Sequence, residues 1–269
     1  MPDLLDATPL WAIGILLFTL LTAAYFGGRR LRAHADRRAA AAGISRKNEF
    51  GGYIVSAMLG LLSLLLGFTF SLATQRFEQR RQLVIEESNA IGTADLRVQI
   101  LPAPYRDTLR RLFREHVSHE IALADIGYPA TGRLRAEDDG ILGQIWATVT
   151  AAIAPPKLGP YALLLSQPIN SMIDLNASRR AVRATEVPAE VFLVLLAYLI
   201  GIAGVLGYEI GSGRATLVAC FVLALMSLSL LLIMDIDRPA AGGIREAQGP
   251  MEQLRLKLGT AGMQPPAPR

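Results

Sequence analysis

Cysteine is nearly missing from this 269-residue chain. Cys220 is the only one, so no internal disulfide can form and cysteine usage leaves the redox compartment open. Aromatic residues make up only 7% of the sequence and charged residues only 19%. No H-E-x-x-H, no G-x-S-x-G, no P-loop and no G-x-G-x-x-G after a strand is found, and Ser166, Ser171 and Ser178 have no histidine in an obvious supporting segment. No enzymatic activity and no cofactor is therefore expected. Internal repeats and long low-complexity tracts are absent as well.

Apolar residues are what the chain has in excess. Hydrophobic residues are 52% of it and 24 glycines add to them, against about 45–50% for all apolar types in a soluble domain. Mean hydropathy is +0.35 despite 27 cationic and 23 acidic residues, so the apolar residues must be concentrated. They fall into four blocks, 10–28, 53–74, 191–211 and 215–234, and the only charge in any block is Glu209, near an end. Each block is about 20 residues long, enough to cross a hydrocarbon core of roughly 30 Å as a helix. Lipid leaves free backbone groups unsatisfied, so the blocks must be helical. Asp3 and Asp6 precede the first block with no Lys or Arg, and no A-x-A site follows it; a retained helix is expected, not a signal peptide.

The expected fold is an all-α membrane protein with four transmembrane helices and a helical polar insert between spans two and three. An N-terminal helix pair occupies 1–74, the insert 75–186, a C-terminal pair 187–234, and a polar, partly disordered tail 235–269. Within the insert, Pro102 and Pro104 open a segment with Leu109, Leu112, Phe113 and Val117 at helical spacing. A Gly/Pro/acidic loop is expected over 127–140, then a helix closed by Pro155-Pro156, then a last helix from near Pro168 to Thr185. Pro188 suits the first turn of span three, and the tail holds one amphipathic stretch, 251–258. Cations flanking the spans balance, eight on each side. The acidic N-terminus favours one orientation and gross charge the other, so positive-inside counting leaves the side of the insert open.

Span two runs into the insert without a proline between 53 and 101. As one helix it would be roughly 65 Å long, about twice the membrane thickness. Written in heptads, one row is Ser56, Ser63, Phe70, Phe77, Val84, Ile91, Val98, and its neighbour is Gly60, Gly67, Thr74, Arg81, Ser88, Asp95. Two readings of this seam stand: close helix packing through small residues, or a pore-lining face about an oligomer axis with an apolar constriction at Phe70 and Phe77.

The run Leu64–Ala90, LLLGFTFSLATQRFEQRRQLVIEESNA, resembles the end of the second membrane helix of bestrophins, through Leu66-Gly67-Phe68, Arg76-Phe77, Arg80-Arg81 and Glu87-Ser88-Asn89. After span four, MDIDRPAAGG is similar to that family's N-P-F-G segment, with Arg238-Pro239 in place of Asn-Pro. Over residues 50–240 the chain resembles most the bestrophin-like family of bacteria, whose function is unassigned. Bestrophins are homopentameric ion channels with an aromatic neck on the second helix. The resemblance therefore implies a homo-oligomeric channel of the bacterial inner membrane that passes inorganic ions. Its pore-lining candidates are Ser63, Gly67, Phe68, Phe70, Thr74 and Phe77, and its pore-mouth candidates Arg76, Arg80, Arg81, Glu87, Ser88 and Asn89. The alternative is a non-conducting membrane sensor or scaffold whose insert binds a partner or ligand.

Three other features are weighed. His116 and His119, with Glu115 and Glu120 alongside, stand at i, i+3 on one helix face, but two imidazoles lack the further ligands zinc needs, and no metal site is assigned. Asp235, Asp237 and Arg238 close span four, where an acidic pair would bind a cation, pair with Arg179 or Arg180, or terminate the helix. Gly201, Gly204, Gly207 and Gly211 read as helix packing. The pI near 9.5 invites nucleic acid, but the cations flank spans or alternate with acids, which suits the lipid bilayer as partner.

Overall fold

In the computed structural model, residues 8–43, 51–125, 132–154, 159–210, 214–238 and 243–260 are described. Every regular element among them is a helix: α1 (Leu10–Ala41), α2 (Gly51–Val98), α3 (Ala103–Asp125), α4 (Gly132–Ile153), α5 (Ala162–Arg183, after a single 3-10 turn, Gly159–Tyr161), α6 (Ala189–Glu209), α7 (Arg214–Asp237) and α8 (Gly249–Thr260). Four of them, α1, α2, α6 and α7, are long and apolar enough to cross a membrane. Span two is indeed one long helix: α2 runs for 48 residues, about 72 Å at 1.5 Å per residue. The chain divides into two units, Met1–Gln75 with Glu186–Ile244, and Arg76–Thr185 with Arg245–Arg269, and α2 contributes a half to each.

The first unit joins α1, the first half of α2, α6 and α7. Leu17, Leu21 and Tyr25 of α1 meet Leu195, Leu199, Ile202, Ala203 and Leu206 of α6, with Leu62 of α2 and Ala219, Leu223, Met226 and Leu230 of α7. Both α1 and α6 follow a proline, Pro9 and Pro188, whose fixed φ prepares the first turn. Glycine sets how closely α1 and α6 approach. A Cβ on Gly28 would land on the backbone carbonyl of Gly204, and one on Gly207 on the carbonyl of Tyr25. The packing expected of the span-three glycines is met at Gly204 and Gly207, while a Cβ on Gly201 would meet nothing within 4 Å; Gly211 lies outside the described residues. Beyond its apolar stretch α1 continues to Ala41 because residues 29–41 contain no proline or glycine. Arg32 also donates to the last carbonyls of α6, Tyr208 O (2.8 Å) and Glu209 O (2.6 Å). The helix ends where Gly43 takes φ +69°, the left-handed backbone that glycine adopts without a Cβ clash.

The second unit gathers the second half of α2 with α3, α4, α5 and α8. Its core holds Val84, Ile91 and Val98 of α2, Leu109, Leu112, Phe113 and Val117 of α3, Ile145 and Val149 of α4, Leu165, Ile169 and Met172 of α5, and Met251, Leu254 and Leu258 of α8. The amphipathic stretch of the tail is thus part of this core; residues 261–269 lie outside the described residues, as do Pro155 and Pro156.

Two boundaries differ from the sequence reading. The segment expected to be loop up to Gly140 is helical from Gly132, because its polar residues find partners along the helix and on the helices it packs against. Arg133 pairs with Glu137 one turn on at 2.9 Å, and Asp138 is drawn fully inside. The last insert helix begins at Ala162 and contains Pro168. Proline at 168 offers no N–H to the carbonyl of Leu164 four residues back, and Arg97 of α2 donates to that carbonyl instead, at 2.9 Å.

Candidate functional site

Within the first unit α2 is the least covered span. Only 11% of its most apolar window is buried, against 28% for α6 and for α7. Gly60 and Gly67 have nothing within 4 Å of a built Cβ, so at these two positions the small-residue stripe packs no other helix among the described residues. Ser63 is exposed, and its hydroxyl donates back to Leu59 O at 2.9 Å. Phe68 is 66% exposed and Phe70 42%, while Thr74 and Phe77 are half-buried. Two residues apart on a helix, Phe68 and Phe70 point about 160° from each other; they sit on opposite margins of the open face and cannot both face one axis.

The heptad seam does not stay on one face. A helix of 3.6 residues per turn slips about 20° per seven residues, so from Ser56 to Val98 the row rotates by roughly 120°. Its start is exposed at Ser56, Ser63 and Phe70, and its end, Val84, Ile91 and Val98, is in the core of the second unit. The face that stays open along all of α2 carries Gly60, Leu64, Phe68, Ser71 and Gln75, then Glu78, Gln82, Glu86, Asn89 and Thr93.

Position around the helix, about 100° per residue, splits the mouth residues. Arg81 and Asn89 are exposed and Arg76 is half-buried, but Arg80, Glu87 and Ser88 are buried within the second unit. Of the six mouth candidates, only Arg76, Arg81 and Asn89 reach the surface of the single chain. Ser88 donates to Pro250 O at 3.1 Å, tying α2 to α8, and Glu87 sits at the centre of a buried polar cluster. Glu87 Oε1 meets His116 Nε2 and accepts from Asn176 Nδ2, both at 3.2 Å, and its Oε2 accepts from Arg179 at 2.5 Å. The other ring nitrogen of His116, Nδ1, meets Asp138 at 2.7 Å. Glu120 takes Asn176 at 2.8 Å and Arg179 at 2.9 Å. Glu246, ahead of α8, pairs with Arg179 at 3.4 Å and Arg183 at 3.2 Å, and Arg180 closes on Asp138 at 2.8 Å. Four helices and the segment before α8 meet here.

The charges follow from these contacts. Burial works against a proton on His116, but hydrogen bonds to Asp138 and Glu87 outweigh it and push its pKa up to about 10. Burial likewise opposes ionisation of Glu87, but the His116 hydrogen bond and the Arg179 charge prevail and hold its carboxyl below the usual range. Glu120 is raised by burial, only partly offset by Arg179 and reinforced by the neighbouring Glu87. His116, Glu120 and Asp138 present ligand atoms within 4.8 Å of one another. Yet an imidazole that faces a carboxylate at each nitrogen donates from both and keeps no lone pair for a metal. The trio is therefore a charge clip, and His119, half-buried on the same helix, is outside it.

At the end of α7 both carboxylate oxygens of Asp237 accept from the backbone N–H of Val187, at 3.2 and 3.0 Å. Asp235 accepts from Gly243 N at 2.8 Å, and Arg238 donates to Thr8 O at 3.2 Å. These residues hold the entry to α6, the exit of α7 and the start of α1, while Arg179 and Arg180 pair elsewhere. Sequence reasoning missed Asp138, Asn176 and Glu246 altogether. For Asn176 and Arg179 a signal existed: they continue the row Leu165, Ile169, Met172 at 4-3-4-3 spacing, so they had to be inside.

A family model described as Bestrophin-like domain matches residues 11–245. Among solved structures, a bacterial bestrophin homologue from Klebsiella pneumoniae is similar over 94% of this chain and 99% of its own, at 17% identity and a TM-score of 0.69. Single-residue variants of that homologue align likewise, one at 15% identity over 96% of this chain and 99% of its own, with a TM-score of 0.69. No curated protein matches the sequence.

Proposed function

Because the chain belongs to the Bestrophin-like family, we propose that it works as an ion channel of the cell membrane, formed by several copies of itself around an axis that α2 faces. The observation that carries this reading is the open face of α2. A span left largely uncovered by the described residues of its own chain, with Gly60 and Ser71 on its open face and Gly67 exposed beside it, suits a surface that meets an aqueous path more than one that meets lipid alone. In a bilayer, residues on a pore face set ion passage through width, hydroxyls and apolar constrictions.

On this reading Leu64, Gly67, Phe68 and Ser71 line the path, and Phe68 is the constriction. Ser63, Phe70, Thr74 and Phe77 turn toward neighbouring copies, and beyond the membrane the lining continues through Gln75, Glu78, Arg81, Gln82 and Asn89. Purified protein reconstituted in liposomes should pass small inorganic ions, and Phe68→Ala should raise the flux more than Phe70→Ala. Flux absent at every salt, voltage and pH, with a monomeric or dimeric protein, would favour the sensor or scaffold reading instead.

A further inference from the structure

One end of the first unit carries cations that neither the conduction path nor the fold uses. At that end Tyr25 and Arg29 contact the Thr216 hydroxyl (3.5 and 3.4 Å), and Arg32 caps α6. Arg29 and Arg32 are thus engaged inside the unit. Arg30, His34, Arg37 and Arg38 are not: all four are exposed. The only contact of these side chains among the described residues is Arg37 Nε to Ala33 O of its own helix, at 3.1 Å. The one acid of α1, Asp36, faces Arg32 at 3.7 Å, and no acid among the described residues pairs with Arg30, Arg37 or Arg38. Over residues 29–52 the sequence holds seven cations and two acids.

Position on the helix gives this charge a target. Residues 30, 34, 37 and 38 fall within an arc of about 100°. They prolong the exposed row Ile15, Leu16, Thr19, Ala23, Phe26 and Gly27, the side of α1 that its own chain leaves to hydrocarbon. The switch from apolar to cationic comes right after Phe26, whose ring lies under the Arg29 guanidinium at 5.8 Å, the aromatic-then-basic order of a membrane boundary. Arg30 is about 6 Å further along the axis, at headgroup depth. Arg37 and Arg38 are roughly 16–18 Å along, but helical side chains lean toward the N-terminus, which at this end is toward the bilayer.

We infer that the row Arg30, His34, Arg37 and Arg38 seats the phosphates of anionic phospholipids, so that the protein carries a bound ring of lipid such as phosphatidylglycerol at this end of α1. Guanidinium groups suit phosphate because their paired N–H donors match its oxygens. The inference needs the membrane span only and is independent of whether the protein conducts.

The test uses the full chain in nanodiscs of phosphatidylcholine with increasing phosphatidylglycerol, with lipid retained after detergent extraction counted by mass spectrometry. Each cation near an anionic surface is worth about fivefold in affinity, so a triple variant, Arg30→Gln with Arg37→Gln and Arg38→Gln, should bind phosphatidylglycerol on the order of a hundredfold more weakly. The matching triple lysine variant should keep most of it, and 0.5 M NaCl should weaken wild type toward the glutamine variant. Equal retention by wild type and the glutamine variant, with both equally helical, overturns the inference. Displacement of the lipid by millimolar inorganic phosphate overturns it too, since the site would then recognise free phosphate and not a lipid surface.

Discussion

His116→Gln leaves a side chain that still hydrogen-bonds but brings no charge between Asp138 and Glu87. In the native protein the His116 pKa is pushed up to about 10 from an ordinary value near 6.5. A rise of that size corresponds to on the order of 5 kcal/mol. Removing one member of a buried ion pair costs about 3–5 kcal/mol; the two figures describe one interaction and are not summed. The sign follows from the direction. A raised pKa gives stability that is complete below about pH 6.5 and is lost as pH climbs through about 10. The margin by which wild type melts above the variant should therefore be constant from about pH 5 to 6.5 and shrink progressively from there to about 10. The variant should melt roughly 10–20 °C lower at neutral pH and show little slope in that window. The assay is fluorescence of Trp146, which lies on α4 of the second unit, in a Trp11→Phe background of the full chain in detergent; the chain has only two tryptophans. Groups that titrate above pH 8 elsewhere cancel between wild type and variant. A variant that melts within 2–3 °C of wild type and keeps its pH slope, well below the shift expected for a buried ion pair, refutes the charged clip.

Further outcomes follow from the same geometry. Glu87→Gln should destabilise in full above about pH 4.5 and progressively less as pH falls below it, because a depressed carboxylate pKa gives stability that is lost as pH drops toward the folded value; melting curves stepped from about pH 7 down to the lowest pH at which the protein still folds check it. Gly207→Val should abolish monodisperse protein on size exclusion, since its side chain would occupy the Tyr25 carbonyl, whereas Gly67→Ala should fold normally. Asp237→Ala should cost about 1–3 kcal/mol by leaving the buried Val187 N–H bare, read as a lower melting temperature of the first unit. Arg97→Ala should cost roughly 1 kcal/mol through the free Leu164 carbonyl, and clearly less in a Pro168→Ala background, where the helix supplies its own donor.

The membrane spans were legible because hydropathy over about 20 residues is a composition signal that packing cannot reverse. The long α2 was legible for a related reason, as nothing between 53 and 101 interrupts it. The faces of α2 were not. A heptad ruler suits a supercoiled seam, but over 42 residues of straighter helix it drifts from an open face to a buried one. That is why a row that is exposed at Ser56 and Ser63 is buried at Val84 and Ile91. The buried cluster was hidden for another reason: its members come from five segments, and apart from Asn176 and Arg179, which continue an apolar row, each of Glu87, His116, Asp138 and Glu246 alone passes for a solvated polar residue. Helix starts at Gly132 and Ala162 were obscured by acids and by Pro168, whose missing donor was offset by Arg97, 71 positions earlier, a compensation no local rule detects.

The central claim is that the open face of α2 meets water inside an assembled channel. Single cysteines at 64, 68 and 71, and at 62 on the buried side, placed in a Cys220→Ser chain and reconstituted in planar bilayers, test it directly. A charged, water-soluble thiol reagent should alter the current at 64, 68 and 71 and leave 62 untouched. Equal indifference at all four positions in a protein that still conducts would contradict the account.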